Sequence, residues 1–271
     1  MALTLALQVQ IVHAQEPGVP PNAHHEAARI ISAETAMSQA LVQMRALTAQ
    51  PAATGLVDSI QRQLALDVAA YDYRNGARQE ELRIYELASY ASVETTVLPL
   101  VPPAVRTALQ NAIAALHSLY VLAGIDQYYL VNVHFVHPYS DAKPVDTLRA
   151  YYLEAQQRYG VDGSYLASIN FIESNFGRVN GPSSAGAEGP MQFIPGTWLE
   201  YGQGGSIDDP HDSIMAAARL LVNNHWAANP RQAIWHYNND YDYVDSVEFF
   251  ARAIRADPTF LDRLYYWNTT G

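Results

Sequence analysis

Residues 162–193 read DGSYLASINFIESNFGRVNGPSSAGAEGPMQF, the pattern of an amphipathic helix followed by a glycine-rich turn. Asp162 and Ser164 are favourable N-cap residues, so the sequence predicts that a helix begins here. Gly177 is typical of a C-terminal cap, and a glycine-rich turn then leads into a second apolar segment. Between the two ends, apolar residues recur at helical spacing and predict one buried face, formed by Tyr165, Leu166, Ile169, Ile172 and Phe176.

Glu173 lies four residues after Ile169 and seven after Leu166, so helical spacing places it at the edge of this buried face. A carboxyl group beside Ile172 and Phe176 would be poorly solvated, and poor solvation raises a carboxyl pKa because it disfavours the charged form. A raised pKa suits a general acid near neutral pH. Periodicity alone also fits a surface glutamate near a helix end, so both interpretations stay open at this point.

The composition of the 271-residue chain removes several other chemistries. The absence of cysteine excludes a thiol nucleophile, a zinc site with cysteine ligands and an iron–sulfur cluster. Lys143 is the only lysine, and no GxxxxGK[ST] motif surrounds it. The 16 basic and 27 acidic residues give a net charge of −11, which argues against nucleic acid as a partner. Carboxylates remain as the natural catalysts.

Residues 1–21 have several features of an export signal. The first twelve residues are mostly apolar, small residues precede Gln15, and prolines follow. No basic residue precedes the apolar stretch, and two glutamines interrupt it, so the N-terminus of a cytoplasmic protein is the alternative. We expect export to an extracytoplasmic or cell-wall location. The sequence has no run of 18 apolar residues, so we predict no transmembrane segment.

Residues 22–135 predict a series of amphipathic helices whose role the sequence does not indicate. Ile30, Met37, Leu41, Met44 and Leu47 mark the first helix, and a Pro-to-Gly cluster at 51–55 ends it. The positions that mark the second and third helices are Leu56, Ile60, Leu64 and Val68, then Leu82, Tyr85 and Ala88, with a turn predicted at Asn75-Gly76. Val101-Pro102-Pro103 opens a fourth helix, with proline in its first turn. Residues 128–136 also fit a short strand.

Prolines and polar residues at 136–144 predict a linker, and the amino-acid composition changes after it. Glycine, tyrosine, tryptophan, asparagine and aspartate become dense beyond it, a mixture that fits a binding cleft. We therefore predict an all-α, mostly helical protein in which the N-terminal helical region precedes a catalytic domain at 145–271.

Several groups of residues accompany Glu173-Ser174 in a fixed order. They are the S-x-x-G-A-x-G-x-M-Q stretch from Ser183 to Gln192, a turn and helix over 209–221, and Tyr237-Asn238 followed by Tyr243. Together they resemble the SLT-type lytic transglycosylases, lysozyme-like enzymes that cleave bacterial peptidoglycan. The Q-F-x-P-x-T-W run at 192–198 is most similar to actinobacterial-type members. The resemblance covers about residues 145–256 and none of 22–135.

The resemblance implies a chemistry for Glu173. It would protonate the oxygen that leaves C1 of N-acetylmuramic acid as the β-1,4 bond to N-acetylglucosamine breaks. The same group would then deprotonate the C6 hydroxyl, which closes onto C1 as a 1,6-anhydro ring. One carboxylate suffices because no water needs activation. The implied partner is the peptidoglycan glycan strand; no cofactor, metal or protein partner is indicated.

The resemblance also implies roles for the other matched residues. Ser183 and Gln192 would hydrogen-bond the sugar and its N-acetyl group, and Met191 would line the cleft beside the reacting ring. Tyr237 and Tyr243 would hold Glu173 and support the sugar, with Asn238 fixing the turn beneath them. Which tyrosine contacts the carboxylate stays open, and Ser174 is expected to bond to backbone at the helix end. Core packing and sugar stacking are equally expected for the nearby aromatic residues Phe193, Trp198 and Trp235.

Two other functions remain as alternatives. A hydrolytic muramidase would use Glu173 together with an aspartate such as Asp208 or Asp209, since ordinary glycosidases need two carboxylates. A non-catalytic module would bind cell-wall glycan without cleaving it. The family's usual Ala-Tyr-Asn-Ala-Gly also appears here as His-Tyr-Asn-Asn-Asp at 236–240, which changes the local turn and charge.

Two acidic or histidine-containing motifs could suggest metal sites. Asp240, Asp242 and Asp245 lack the glycine and terminal glutamate of an EF-hand loop, so we interpret them as turn and capping residues rather than a calcium site. His134-x-x-His137 has no obvious third ligand and is interpreted as a loop feature.

Overall fold

Helices account for nearly all regular structure in the computed structural model, which describes residues 22–88, 90, 92–124, 140–179 and 181–267. Within these residues there is no β-strand, only an isolated antiparallel bridge between Glu188 and Phe193. The predicted all-α class is confirmed. The α-helices are α1 (Ala23–Thr48), α2 (Leu56–Leu87), α3 (Val93–Thr96), α4 (Pro103–Leu122), α5 (Val145–Tyr159), α6 (Gly163–Ser174), α7 (Pro195–Tyr201), α8 (Pro210–Asn223), α9 (Pro230–Asn238), α10 (Tyr241–Ala256) and α11 (Phe260–Tyr265).

Helix α6 is the central helix of the C-terminal region, in contact with α5, α8, α10 and α11. The predicted face is buried, with Leu166 and Ile169 fully enclosed, and small residues allow neighbours to approach the other sides. The buried side chain of Asn170 needs hydrogen-bond partners at this depth. It accepts a hydrogen bond from the Tyr152 hydroxyl and donates one to the carbonyl of Pro190, each at 2.8 Å.

The N-terminal helices share one hydrophobic core with the C-terminal region. Helix α4 has a proline at its start, as predicted, begins at Pro103 and packs along α10. Trp267 is fully buried, with its ring 5.9–6.3 Å from those of Tyr85 on α2 and Phe171, Phe250 and Phe260 on three C-terminal helices. The hydrophobic core is therefore continuous across the boundary that the sequence suggests.

Helix α2 runs without interruption through Asn75-Gly76, so the turn predicted there is wrong. The glycine serves close helix packing instead: a Cβ at Gly76 would lie 2.5 Å from Cγ of Met37 and 3.2 Å from the carbonyl oxygen of Ala33, both on α1. An Asn-Gly pair is a turn signal only when the neighbouring structure does not need a small residue. The predicted second and third helices are therefore one helix.

The apolar residues that marked the first half of α2 lie on its solvent side. Leu56, Ile60, Leu64 and Val68 are exposed by 77%, 58%, 62% and 48%. The opposite face packs against α1 through a small cluster of Met37, Ala40, Tyr73 and Ala77. The pattern correctly predicted a helix, but these four residues contribute nothing to the hydrophobic core.

A buried ionic cluster joins the α1–α2 hairpin to α11. The guanidinium of Arg263 lies 2.9 Å from a carboxylate oxygen of Glu80, 2.8 Å from Asp257 and 3.5 Å from Glu34. Arg263 and Glu80 are almost completely buried. Burial raises the pKa of Glu80 to about 8, although Arg263 favours its ionised form. The cluster therefore holds more carboxyl groups than one arginine can neutralise when all are ionised.

The Glu80 carboxyl makes stability depend on pH. Its pKa is higher in the folded chain than in the unfolded chain, so its contribution is complete below about pH 4.5 and is lost as the pH rises towards 8. We expect Glu80→Gln, which cannot ionise, to flatten this decline in the free energy of unfolding, measured by urea denaturation across this range. Glu94→Gln, at an exposed position on α3, is the control. Equal pH dependence in wild type and Glu80→Gln would contradict the assignment.

Three predictions fall outside the described residues. They are the export signal at 1–21, the short strand at 128–136 and the histidine pair at 134 and 137. Of the predicted linker, the structure describes 140–144, where the Ser140 amide donates a hydrogen bond to the carbonyl of Arg178 at 2.9 Å. None of the helices in the described part of the chain is both long and apolar enough to cross a membrane.

Candidate active site

Glu173 occupies the last turn of α6, and both ends of this helix are fixed by side chains. Asp162 caps the start by accepting a hydrogen bond from the Ser164 amide at 2.9 Å, as the sequence predicted. The helix ends at Ser174, and its C-terminal cap is Asn175 rather than the predicted Gly177, because Asn175 adopts the left-handed conformation at φ 50°. Asparagine tolerates this conformation better than most residues.

Ser174 fastens the end of α6 to the glycine-rich loop. Its hydroxyl donates to the carbonyl of Pro190 and accepts from the Gly177 amide at 2.8 Å, which confirms the expected structural role. The Pro190 carbonyl also accepts from Asn170, one turn earlier on the same helix. Two buried side chains on α6 therefore hold one carbonyl of the loop, and the loop is fixed beside Glu173.

The carboxyl group of Glu173 is half-buried and hydrogen-bonded. The hydroxyl of Tyr243 on α10 donates to its Oε1 at 2.7 Å. Burial raises the pKa of Glu173 from its ordinary 4.5 to about 8, and the hydrogen bond from Tyr243 opposes part of this rise. At neutral pH this carboxyl group therefore holds a proton that it can donate.

A second tyrosine supports the first. The rings of Tyr237 and Tyr243 stack with centroids 6.3 Å apart and planes 11° apart. The Tyr237 hydroxyl donates to the carbonyl of Met191 at 2.7 Å rather than to Glu173. The structure thus distinguishes the two tyrosines: Tyr243 holds the carboxylate, and Tyr237 ties α9 to the glycine-rich loop.

The corner between α9 and α10 brings these tyrosines together. Asn239 ends α9 in the left-handed conformation at φ 59°, and Asp240 starts α10 by capping the Asp242 amide. Both residues replace small residues of the family pattern, yet each suits its position because asparagine tolerates this conformation and aspartate is a favourable cap. Asn238 is buried at the end of α9, beneath the corner.

The glycine-rich loop is held by its own backbone and side chains. The hydroxyl of Ser183 accepts hydrogen bonds from the amides of Ala185 and Ala187. Gln192 has a φ of 49°, and its side-chain amide donates to the carbonyl of Gly189 at 3.0 Å. Ser183 and Gln192 therefore shape the loop, whatever contacts they make with a sugar.

Met191 has a fully buried side chain, so its direct link to the site is the backbone carbonyl that accepts from Tyr237. Glu173, Tyr243, Tyr237 and Met191 are connected in this order by hydrogen bonds and ring stacking.

Asn170 is a site residue that sequence reasoning missed. The sequence feature that could have revealed it is a polar residue on the predicted buried side of α6, three positions before Glu173.

The aromatic residues that the sequence analysis singled out differ in how deeply their side chains are buried. Phe193 is buried, with its ring near those of Trp198 and Tyr237, so it packs in the core. Trp235 is partly buried, and its ring lies 6.4 Å from that of Tyr241, which is 54% exposed. Trp235 and Tyr241 therefore form an aromatic pair that is partly exposed at the surface.

The other acidic candidates serve mainly as helix caps or ion pairs. Asp240 caps α10, and Asp245 forms an ion pair with Arg231 at 2.8 Å. Among the residues described, Asp209, His211 and Asp212 form the one cluster with potential metal ligands close together. Asp209 caps α8, and Asp212 accepts from the Ser206 amide, so this cluster is explained by helix capping.

A scan against protein-family models matched the Transglycosylase SLT domain over residues 150–245. This segment contains Glu173, the glycine-rich loop and both tyrosines. The chain therefore carries an SLT-type transglycosylase domain, the family that the sequence motifs indicate. Searches of curated proteins and of solved structures found no match. The similarity to actinobacterial-type members stays a prediction.

Proposed function

We propose that this protein is a lytic transglycosylase that cleaves the β-1,4 bond between N-acetylmuramic acid and N-acetylglucosamine in peptidoglycan. The observation that carries the proposal is the carboxyl group of Glu173, which accepts a hydrogen bond from Tyr243 inside an SLT domain and whose pKa is raised by burial. Such a substrate lies outside the cytoplasm, so we also propose an extracytoplasmic or cell-wall location.

Glu173 acts first as an acid and then as a base. Its proton moves to the glycosidic oxygen as the bond from C1 of the muramoyl residue to that oxygen breaks. The Glu173 carboxylate next takes the proton of the C6 hydroxyl while O6 bonds to C1. The acid is thereby regenerated, and the products are a free 4-hydroxyl end and a 1,6-anhydromuramoyl end, with no water consumed.

The surroundings of Glu173 favour a mechanism with one carboxylate. A retaining glycosidase places its two carboxyl groups about 5–5.5 Å apart, where each strongly affects the pKa of the other. Among the described residues, burial and the Tyr243 hydrogen bond account for the shift of Glu173, with no contribution from a second carboxylate. Of the two alternative partners, Asp208 and Asp209, the second is engaged as the cap of α8.

The mass of the products tests this mechanism against hydrolysis. Purified sacculi are digested, and the released muropeptides are analysed by mass spectrometry. We expect anhydromuramoyl products, which are lighter by one water, about 18 Da, than those of the hydrolysis in ordinary glycosidases. Reducing-end muropeptides alone would instead identify a muramidase, and sacculi that bind the protein without releasing products would identify a glycan-binding module.

Tyr243→Phe is expected to move the pH dependence of cleavage. The hydroxyl of Tyr243 favours the ionised form of Glu173, so its removal raises the pKa of Glu173 further above about 8. Activity requires the protonated acid and falls as the pH rises through this value. The alkaline limb of the rate–pH profile should therefore shift to higher pH, as measured on soluble glycan strands.

Tyr237→Phe is the matched control for this shift. Tyr237 is also buried and its ring stacks on Tyr243, but its hydroxyl donates to a backbone carbonyl. We expect this variant to keep the alkaline midpoint of the wild type even if its rate falls. An equal shift in both variants would show that the Tyr243 hydrogen bond does not set the pKa of Glu173.

A further inference from the structure

The first half of α2 carries an exposed apolar surface, which we name the α2 stripe. At 100° per residue its six large side chains fall within about 120° of the helix circumference, and the stripe is about 22 Å long. They are exposed by 48–77%. The members are Leu56, Val57, Ile60, Leu64, Val68 and Tyr71.

The α2 stripe is larger than ordinary surface apolarity explains. If a fully exposed aliphatic residue presents about 150–180 Å² and a tyrosine about 200–250 Å², these six present roughly 600–700 Å² at their observed exposure. The largest apolar patch on a typical monomer is about 300–600 Å², and larger ones usually mark interaction surfaces. The inner face of α2 is already used against α1, so the stripe is an additional surface.

We propose that the α2 stripe is the contact surface of a symmetric dimer of this protein. Two copies would together bury roughly 1,200–1,400 Å² of stripe, within the range of about 1,200–2,000 Å² that specific interfaces need. A two-fold axis at the middle of the stripe pairs the same surface on both chains and closes the assembly at two copies. The two hairpins then form four packed helices whose apolar faces are covered.

Little charge lies beside the α2 stripe. Residues 56–71, which carry it, contain two acidic residues and one basic residue, a net charge of −1, against −11 for the whole chain. Two copies that meet here therefore bring together only one net negative charge each. A lipid surface is less favoured because interfacial helices are rich in Lys and Arg on a free polar face, whereas α2 uses its other face against α1.

Sedimentation velocity of the full chain tests the proposal without any substrate, so the result is independent of glycan cleavage. We expect a species of twice the chain mass that Leu64→Asp converts to monomer. Leu64 is 62% exposed, so the variant has no reason to unfold. Leu199→Asp, on an 86% exposed residue of α7, is the matched control and should remain dimeric. A monomeric wild type, or equal dimerisation of both variants, would overturn the proposal.

The absence of cysteine from the sequence allows a direct test of position. Leu64 lies near the middle of the stripe, so a two-fold axis brings it close to its own copy. We expect Leu64→Cys to form a covalent dimer under mild oxidation and Leu199→Cys to remain uncrosslinked. Equal crosslinking of the two variants would show that Leu64 is not at a specific dimer contact, and it would contradict the proposed dimer.

A third measurement separates the other occupants of the stripe. The full chain is sedimented with vesicles that contain anionic phospholipid, and Leu64→Asp is compared. A monomer that binds these vesicles through Leu64 would assign the stripe to a lipid surface. A monomer that does not bind them would indicate that the stripe is covered within the chain or left bare, and either result overturns the dimer.

Discussion

Replacing Glu173 with glutamine is expected to slow the clearing of purified sacculi by about 10²–10⁴-fold, the usual contribution of general acid catalysis. Glutamine matches the size of the protonated carboxyl group and can accept the hydrogen bond from Tyr243, but it cannot transfer a proton. The loss should therefore appear in the rate rather than in binding of the glycan. Turbidity of the sacculi and the amount of released muropeptide measure it.

The control for this variant is Glu200→Gln, at an exposed position on α7. It removes the same charge from the protein outside the hydrogen-bonded site, so the rate of clearing should be unchanged. The free energy of unfolding of Glu173→Gln should be close to that of the wild type at neutral pH, because burial keeps the wild-type carboxyl group protonated there. Equal clearing by Glu173→Gln and wild type would remove Glu173 from the mechanism.

Gly189→Ala is expected to have the largest effect on stability. Gly189 has a φ of +74°, and a Cβ there would lie 2.0 Å from the carbonyl oxygen of Ile207. Left-handed backbone costs an alanine about 1–2 kcal/mol, and overpacking against backbone adds about 1–3 kcal/mol. We expect a loss of about 3 kcal/mol or more in the free energy of unfolding, a large part of the stability of an ordinary domain.

Gly186→Ala separates the two causes. Gly186 lies three residues earlier in the same loop with a φ of +77°, but a Cβ there meets nothing within 4 Å. This variant should lose only the conformational cost of about 1–2 kcal/mol. Urea denaturation measures both. Similar losses in the two variants would mean that the contact with Ile207 relaxes at no cost.

Helical spacing placed Glu173 at the edge of the buried face, but it left open whether this residue is a poorly solvated carboxyl group or a surface glutamate near the helix end. The structure distinguishes the two interpretations, because Glu173 is half-buried and burial raises its pKa to about 8. Its hydrogen-bond partner, Tyr243, lies on α10, so the spacing along α6 alone could not predict that contact. The motif order predicted the family, since the matched segment contains every motif residue that the resemblance used.

Spacing could not distinguish Tyr237 from Tyr243. The two residues are six positions apart on different helices, and the corner at Asn239 decides which hydroxyl reaches the carboxylate. The same limit applies to Asn75-Gly76, where the decisive neighbour is Met37 on another helix. Contacts between distant parts of the chain determine these outcomes, and a single sequence does not display them.

The first half of α2 shows a different limit. Leu56, Ile60, Leu64 and Val68 have the spacing of a core-facing stripe, yet they face solvent. Periodicity reports that one face of a helix is apolar, but not which surface covers it. A stripe that packs inside one chain and a stripe that packs against a second chain have the same pattern.

The position of Trp267 has a consequence for the transfer of this domain between genes. The segment that matches the family ends at residue 245, while Trp267 lies beyond it and Tyr85, its ring neighbour, lies far before it. Recombination that transferred only residues 150–245 would carry the reactive groups without the aromatic surface that orders α6 and α10. The segment that matches the family is therefore shorter than the segment that must be transferred if the domain is to keep its hydrophobic core.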